Sequence, residues 1–212
     1  MKNNTSHAKT LKMVQIALLS AIVVILQLFF SAIRVGVVTL NFVLVPIVLA
    51  GVLLGPVAGL FVGAFAGLTT FIQVFTSADP FYTFLMTTNP AATACICLLK
   101  TALAGFLVGL LSVWLKSFAQ KSERASYISS IAYAAVCPVV NTGLFCLGMI
   151  LFFSDAMLTN PIFEGALGNG VIYFIFIGLA GINFIVELIL NIIVCPVLIR
   201  ILKNTKYFKD KN

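Results

Sequence analysis

The segment VPIVLAGVLLGPVAGLFVGAFAGLTTFIQVF, residues 45–75, decides the fold class of this chain. It lies within a longer stretch, from Val35 to Ala78, that contains no acidic or basic residue. About 20 apolar residues are enough to cross a bilayer as one helix, so the segment is too long for a single span. Gly55-Pro56 divides it with a strong turn signal. The segment therefore predicts two membrane spans joined by a tight turn.

The composition of the whole chain agrees with this interpretation. Of its 212 residues, 61% are hydrophobic and 9% are charged, whereas a soluble domain has roughly 25% charged residues. So few charges cannot cover a water-facing surface. We predict an all-α integral membrane protein, a six-transmembrane-helix bundle in a single membrane domain, residues 1–212. The expected spans are about 11–32, 40–54, 57–75, 91–115, 127–153 and 171–202, and the expected long loops are 76–90 and 154–170.

The positions of the charges predict the orientation. Six spans place both termini on one side, where most of the Lys and Arg residues also fall, and leave Arg34 on the other. By the positive-inside rule, both termini are cytoplasmic and the two long loops are external. The formal net charge is +7, but the sequence contains no basic stripe with interleaved aromatic residues. We therefore expect the lipid bilayer, and no nucleic acid, as a partner.

Glycines recur every four residues in the third span, at Gly55, Gly59, Gly63 and Gly67. Residues at this spacing share one helix face, and small residues let membrane helices approach closely. The stripe predicts close packing against a neighbouring helix of the same chain, or else a contact surface for another subunit.

The sixth span carries a polar face. Asn183, Glu187 and Asn191 recur every four residues, and Glu187 stands among apolar residues. A carboxylate inside a membrane normally faces the bundle interior and has a partner. Lys100 is the only cation in the interior of a predicted span, away from its ends. Two hypotheses follow: a structural Glu187–Lys100 pair, or a site in which one or both residues bind a polar ligand.

Three further polar residues stand near the predicted spans. Asn141 lies in the fifth span, where its amide can both donate and accept hydrogen bonds. Asn89 precedes Pro90 and either caps the fourth span or contacts a ligand. Tyr82, in the loop before it, belongs either to an apolar lid or to an interfacial aromatic anchor.

Catalytic signatures are missing from the sequence. It contains neither the Walker A pattern nor HExxH nor a nucleophile elbow. The protein is therefore not expected to be an enzyme or to hold a cofactor. The five cysteines lie in apolar runs and the single His is near the N-terminus, so neither a disulfide framework nor a metal site is expected.

The order of these features resembles the S components, the substrate-binding subunits of energy-coupling factor (ECF) vitamin transporters. The most specific part of the resemblance is the Leu-Gly-Pro-x-x-Gly segment that ends at Gly59. The resemblance extends over nearly the whole chain. It rests on Val38–Phe42, Val45–Gly59, Thr88-Asn89-Pro90, Asn141-Thr142 and the face of Asn183 and Glu187.

The resemblance implies a multi-pass protein of a prokaryotic plasma membrane. Such S components bind a water-soluble vitamin from outside, under the external loops. They join one transmembrane T protein and two cytoplasmic ATPase subunits, which drive transport. An Ala-x-x-x-Ala pattern in the first helix of the family contacts the T protein, and Ala17 and Ala21 match it.

Thr88-Asn89-Pro90 and the cation in the fourth span are similar to members assigned to pantothenate. In that case, Lys100 or Arg34 would pair with the carboxylate, while Asn89, Asn141 and Asn183 would form hydrogen bonds with the rest of the molecule. Those members carry Arg where this chain has Lys100, and Lys lacks the bidentate fork of Arg.

Riboflavin, folate or another vitamin therefore remains an alternative substrate, with Tyr82, Tyr133 or Tyr173 stacking on a flat ring. Two further alternatives from other classes are an ion-coupled secondary transporter and an assembly factor. The first is less favoured because the sequence shows no inverted repeat.

Overall fold

The structure, a computed structural model, describes residues 2–30, 34–35, 38–39 and 42–203, and the side chains of residues 9–29 and 42–203. Helices dominate this part of the chain. They are α1 (Lys2–Phe30), α2 (Leu44–Leu54), α3 (Pro56–Thr76), α4 (Pro80–Thr88), α5 (Pro90–Trp114), α6 (Lys116–Ala119), α7 (Glu123–Thr159) and α8 (Val171–Lys203). Between α1 and α2, strand β1 (Arg34–Val35) pairs antiparallel with strand β2 (Val38–Thr39).

Five of the described helices are long and apolar enough to cross a membrane: α1, α3, α5, α7 and α8. The prediction of a helical membrane protein is therefore confirmed. Within the described part of the second predicted span, 40–54, the helix covers Leu44–Leu54. These 11 residues measure about 16 Å, roughly half of the hydrocarbon core. Every residue of Leu44–Leu49 is buried, so this short helix is enclosed by the others.

The helices run alternately up and down, so their ends collect at two ends of the bundle. At one end, a Cβ added to Gly109 near the end of α5 would meet Pro56 at the start of α3. We call this the terminal end, because the last described helix, α8, ends there; α7 also begins there. At the opposite end, Gln27 of α1 donates a hydrogen bond to Gln73 of α3.

The segment predicted as a loop at 76–90 contains a helix, and the loop prediction is wrong for α4. Asp79 Oδ1 accepts hydrogen bonds from the backbone N–H of Phe81 (2.9 Å) and Tyr82 (3.2 Å). Pro80 occupies the first helical position. The Asp-Pro pair that signals a turn is equally a strong helix start, since Asp satisfies free N–H groups and Pro has none to satisfy.

The second predicted loop, 154–170, is also shorter than expected. Helix α7 extends from Glu123 to Thr159, through Pro138 in its interior. It ends at Asn160, where Pro161 follows and begins a short 3₁₀ turn. A residue before proline is disfavoured in helical conformation, which explains the end of the helix at this point.

The glycine stripe of α3 packs against α5. A Cβ at Gly59 would lie 2.3 Å from the carbonyl oxygen of Gly105, and one at Gly63 would lie 2.3 Å from that of Thr101. Gly67 meets the α5 backbone in the same way. The internal-packing hypothesis is confirmed at these three glycines, and the hypothesis of a contact surface for another subunit is wrong there.

Gly55 belongs to the turn and not to this contact. It adopts a positive φ of 94°, and a Cβ there would meet nothing within 4 Å. Glycine is required at this position by the backbone conformation alone.

Buried side chains form two apolar clusters. The first surrounds α2 near the terminal end and includes Ile47, Val62 and Val108. The second, near the opposite end, is aromatic: the ring centroids of Phe84 and Phe163 are 4.9 Å apart in an edge-to-face arrangement. A cavity lies within this second cluster.

Candidate substrate-binding site

A cavity of about 820 Å³, counted with its open mouth, lies at the end of the bundle opposite the terminal end. Sites for small molecules usually combine apolar walls with a few convergent polar groups. This cavity has that composition. Its polar lining consists of Gln27, Thr70, Tyr82, Thr93, Lys100, Asn141, Thr142, Asn183 and Glu187, and its larger apolar lining includes Phe81, Phe145, Met149 and Phe153.

The charged groups lie deep, and the aromatic groups other than Phe145 lie near the mouth. Lys100 stands ten residues after the start of α5 at Pro90, which is about 15 Å at 1.5 Å per residue. Glu187 stands sixteen residues after the start of α8, at the middle of this 33-residue helix. By contrast, Phe153 and Phe81 belong to the helix ends around the mouth. A ligand would enter past apolar walls and meet polar groups at the floor.

Lys100 lies over an aromatic ring. Its Nζ is 5.2 Å from the centroid of the Phe145 ring, a cation–π arrangement. The ring face stabilises the ammonium group without using up its three N–H donors. Lys100 is thus a suitable partner for a ligand anion, because charge-assisted hydrogen bonds are among the strongest available.

The polar face of the sixth span is buried as predicted. Asn183 and Glu187 line the cavity and are each 7% exposed. Asn191 is fully buried beyond the cavity floor, where its Nδ2 donates to the Glu187 carbonyl oxygen at 2.8 Å. Lys100 and Glu187 line the same cavity. The structural pairing of these two residues stays a prediction.

Asn141 brings a further acceptor to the floor. It is 4% exposed, and its Oδ1 atom has no hydrogen-bond partner within the described part of the chain. A buried polar atom without a partner costs about 1–3 kcal/mol. A ligand that donates a hydrogen bond to this oxygen would remove that unfavourable energy. Asn141 is therefore the floor residue with the clearest physical reason to bind a ligand.

Helix α4 supplies part of the wall near the mouth. Tyr82 and Phe81 line the cavity and are buried, and the Asp79 cap holds the first turn that carries them. The predicted lid residue is therefore at the cavity. Neither Tyr133 nor Tyr173 lines it: the first is buried in the other apolar cluster and the second is 52% exposed.

The remaining predicted site residues are elsewhere. Asn89 is not part of the lining, and its Oδ1 accepts a hydrogen bond from the Ala92 N–H at 3.0 Å, so the capping hypothesis is confirmed. Its direct contact with a ligand stays a prediction that this geometry does not favour. The side chain of Arg34 lies outside the described residues. Ala17 and Ala21 are exposed on α1, away from the cavity.

Gln27, Thr70 and Thr93 line the cavity although sequence reasoning did not single them out. Gln27 carried a usable signal in the sequence, since it is an amide inside an apolar span and polar groups inside membrane spans tend to be functional. The two threonines carried none. Both hydroxyls bond to carbonyl oxygens of the preceding turns, as threonines do in any helix.

With this geometry established, the chain can be compared with known proteins. It matches the model of the family described as ECF transporter, substrate-specific component, over residues 11–199. The chain belongs to this family. A search of curated proteins finds no significant match. The matched range includes every residue that lines the cavity.

Family membership fixes the general role. The protein is a multi-pass membrane protein and the substrate-binding component of an ECF transporter, and the family is one of transporter subunits, not enzymes. It takes a small-molecule substrate and associates with T and ATPase modules.

Proposed function

We propose that this S component captures a water-soluble vitamin, with pantothenate as the best candidate, from outside the cell for ATP-driven uptake by a T protein and two ATPase subunits. The observation that carries the proposal is the cavity floor. Lys100 over the Phe145 ring, the unpartnered oxygen of Asn141 and the buried amide of Asn183 converge there. Together they offer one cation and several neutral hydrogen-bonding groups.

The proposed orientation has six crossings and both termini in the cytoplasm. The second crossing is the predicted span 40–54, of which α2 (Leu44–Leu54) is the described helix. The distribution of charge supports this arrangement. The cations outside the cavity whose side chains the structure describes gather at the terminal end, as the positive-inside rule requires of a cytoplasmic face. These cations are Lys9, Lys12, Lys116, Lys121, Arg124, Arg200 and Lys203. In this orientation the cavity opens to the outside.

The chemistry of pantothenate fits such a floor. Its carboxylate pairs with the Lys100 ammonium, and its amide and hydroxyl groups form hydrogen bonds with Asn141 and Asn183. Glu187, as an acceptor, takes a hydrogen bond from a hydroxyl. The branched apolar end of pantothenate contacts the Phe145 side chain in the cavity wall. Riboflavin or folate would instead use the aromatic residues near the mouth, above all Tyr82, for stacking.

A binding titration of the purified protein against pantothenate, riboflavin and folate tests the proposal. We expect pantothenate to bind and the other two to be weaker. Lys100→Ala should weaken pantothenate binding by about 10- to 150-fold, since a hydrogen bond to a charged group contributes roughly 1.5–3 kcal/mol. Lys121→Ala, which removes the same charge from an exposed position at the terminal end, should change nothing.

Other outcomes discriminate between the alternatives. Tight binding of riboflavin or folate without pantothenate would reject the substrate and keep the S-component role. Substrate flux into vesicles that contain this chain alone, driven by an ion gradient, would favour a secondary transporter. Unchanged affinity in both Lys100→Ala and Glu187→Gln would reject the cavity floor as the site.

A further inference from the structure

A second cavity lies at the terminal end of the bundle, between the first turns of α7 and the last turns of α8. It measures about 600 Å³, counted with its open side. Its lining includes Arg200 and Lys203 from α8 together with Ser126 and Tyr127 from α7. None of these residues takes part in the substrate site, and the two cavities lie at opposite ends of the helices.

The lining suits a phosphate group. Arg200 presents a planar guanidinium fork that matches phosphate oxygens, and Lys203 adds a second, half-buried cation. The hydroxyls of Ser126 and Tyr127 are further donors. Glu123 is the carboxylate of the lining, and its Oε2 lies 3.5 Å from an Arg200 terminal nitrogen. Both side chains of this pair are largely exposed, 68% for Arg200 and 90% for Glu123, so the ion pair is weak, and it uses one of the two terminal nitrogens of the guanidinium.

The position of the cavity indicates whether the phosphate belongs to a lipid or to a soluble molecule. It lies at the ends of two membrane-spanning helices, which is the level of the lipid headgroups. Beside it, Ile128, Val197 and Ile201 are each more than half exposed and face the perimeter of the bundle. Tyr127, 52% exposed, has the amphipathic character of residues at a membrane interface. A lipid could therefore place its phosphate in the cavity and its acyl chains along this apolar surface.

We propose that this cavity binds the phosphate of an anionic phospholipid. Basic pockets between transmembrane helices at the cytoplasmic side are typical sites for anionic headgroups. Cations in the last turn also complement the dipole of α8, but that role requires neither the cavity nor the hydroxyls opposite. The proposal is independent of the vitamin, since no residue of the substrate cavity takes part.

Native mass spectrometry of the purified full chain with added phosphatidylglycerol or phosphatidylcholine tests the site. We expect phosphatidylglycerol to bind in preference, and Arg200→Gln with Lys203→Gln to lower its affinity by about 30-fold. The matched control is Lys116→Gln with Lys121→Gln, which removes the same charge from exposed positions at the same end. That control should bind the lipid as the unchanged protein does.

Glu123→Gln gives the sharper test, because it removes a negative charge from the cavity and leaves both cations, Arg200 and Lys203, in place. If the cavity binds an anion, this variant should bind phosphatidylglycerol more tightly; weaker binding would overturn the proposal. Equal binding of the two lipids, or equal losses in the two double variants, would also overturn it. Inorganic phosphate that stabilises the protein against heat as well as the lipid does would reject the lipid and assign a soluble anion.

Discussion

Replacing Gly59 by alanine tests the closest contact in the bundle. The added Cβ would lie 2.3 Å from the Gly105 carbonyl oxygen and 2.8 Å from its carbonyl carbon, whereas ordinary contacts begin at 3.4 Å. Both obstacles are backbone atoms, so no side-chain rotation can relieve the clash. Helices α3 and α5 must therefore separate by about 1 Å, the difference between the two distances.

The cost of this separation can be bounded. A gap of 0.5–1 Å removes about a quarter to a half of the dispersion energy of each affected atom pair. Overpacking of a tight interface costs about 1–3 kcal/mol. For a chain of this size, each kcal/mol corresponds to about 2–4 °C in Tm. We therefore expect Gly59→Ala to lower Tm by about 2–12 °C.

Thermal unfolding in one detergent measures the effect, with Gly143→Ala as the matched control. Gly143 also lies within a helix, α7, but a Cβ there meets nothing within 4 Å. The control should keep or raise Tm, because alanine is favoured over glycine in helices by about 1 kcal/mol. If Gly59→Ala were as stable as Gly143→Ala, the close packing of α3 on α5 would be refuted.

Gly59 and Gly67 of the same stripe lie at different distances from the substrate cavity, so alanine at these positions separates an effect on packing from an effect on binding. A Cβ at Gly67 would lie 2.5 Å from the carbonyl oxygen of Cys97, a residue that lines the substrate cavity. Gly59 lies farther toward the terminal end. Gly67→Ala should therefore lower both Tm and ligand affinity, whereas Gly59→Ala should lower Tm and leave the affinity nearly unchanged. Equal affinities in the two variants would show that α5 does not transmit the shift to the cavity.

Two further predictions separate binding from stability and from assembly. Asn141→Leu should keep or raise Tm, since it removes a buried oxygen without a partner. The same variant should weaken ligand binding by roughly tenfold, the equivalent of one net hydrogen bond. A large loss of Tm would contradict this prediction. Ala17→Trp places a bulky ring on the exposed face of α1 and should abolish uptake by the full transporter while the isolated protein binds ligand normally; normal uptake would reject Ala17 as a contact.

Local sequence patterns were sufficient wherever the cause is local. Apolar length predicted the five long membrane helices, and spacing by four predicted that Asn183, Glu187 and Asn191 share a buried face. The place of Asn89 before Pro90 predicts a helix cap, and its Oδ1 has that role. In each case, residues only a few positions apart determine the result.

The loop predictions failed where one dipeptide permits two structures. Asp79-Pro80 is a turn signal and also a helix start. Helix α4 forms because its apolar side chains, Phe84 among them, pack in the second, aromatic cluster. That cluster includes Phe153 and Phe163 from distant parts of the chain. Tertiary packing therefore chose between the alternatives.

By itself, the sequence determined the membrane environment, the buried polar face of the last helix and the resemblance to S components, because hydropathy and periodicity are properties of neighbouring residues. Only the tertiary structure decided that Lys100, Asn141 and Glu187 meet in one cavity with Gln27, and that Asn89 does not line it. Which faces of different helices meet depends on how closely their backbones approach. In the bundle that approach is set by contacts such as Gly59 on Gly105, made between residues far apart in sequence.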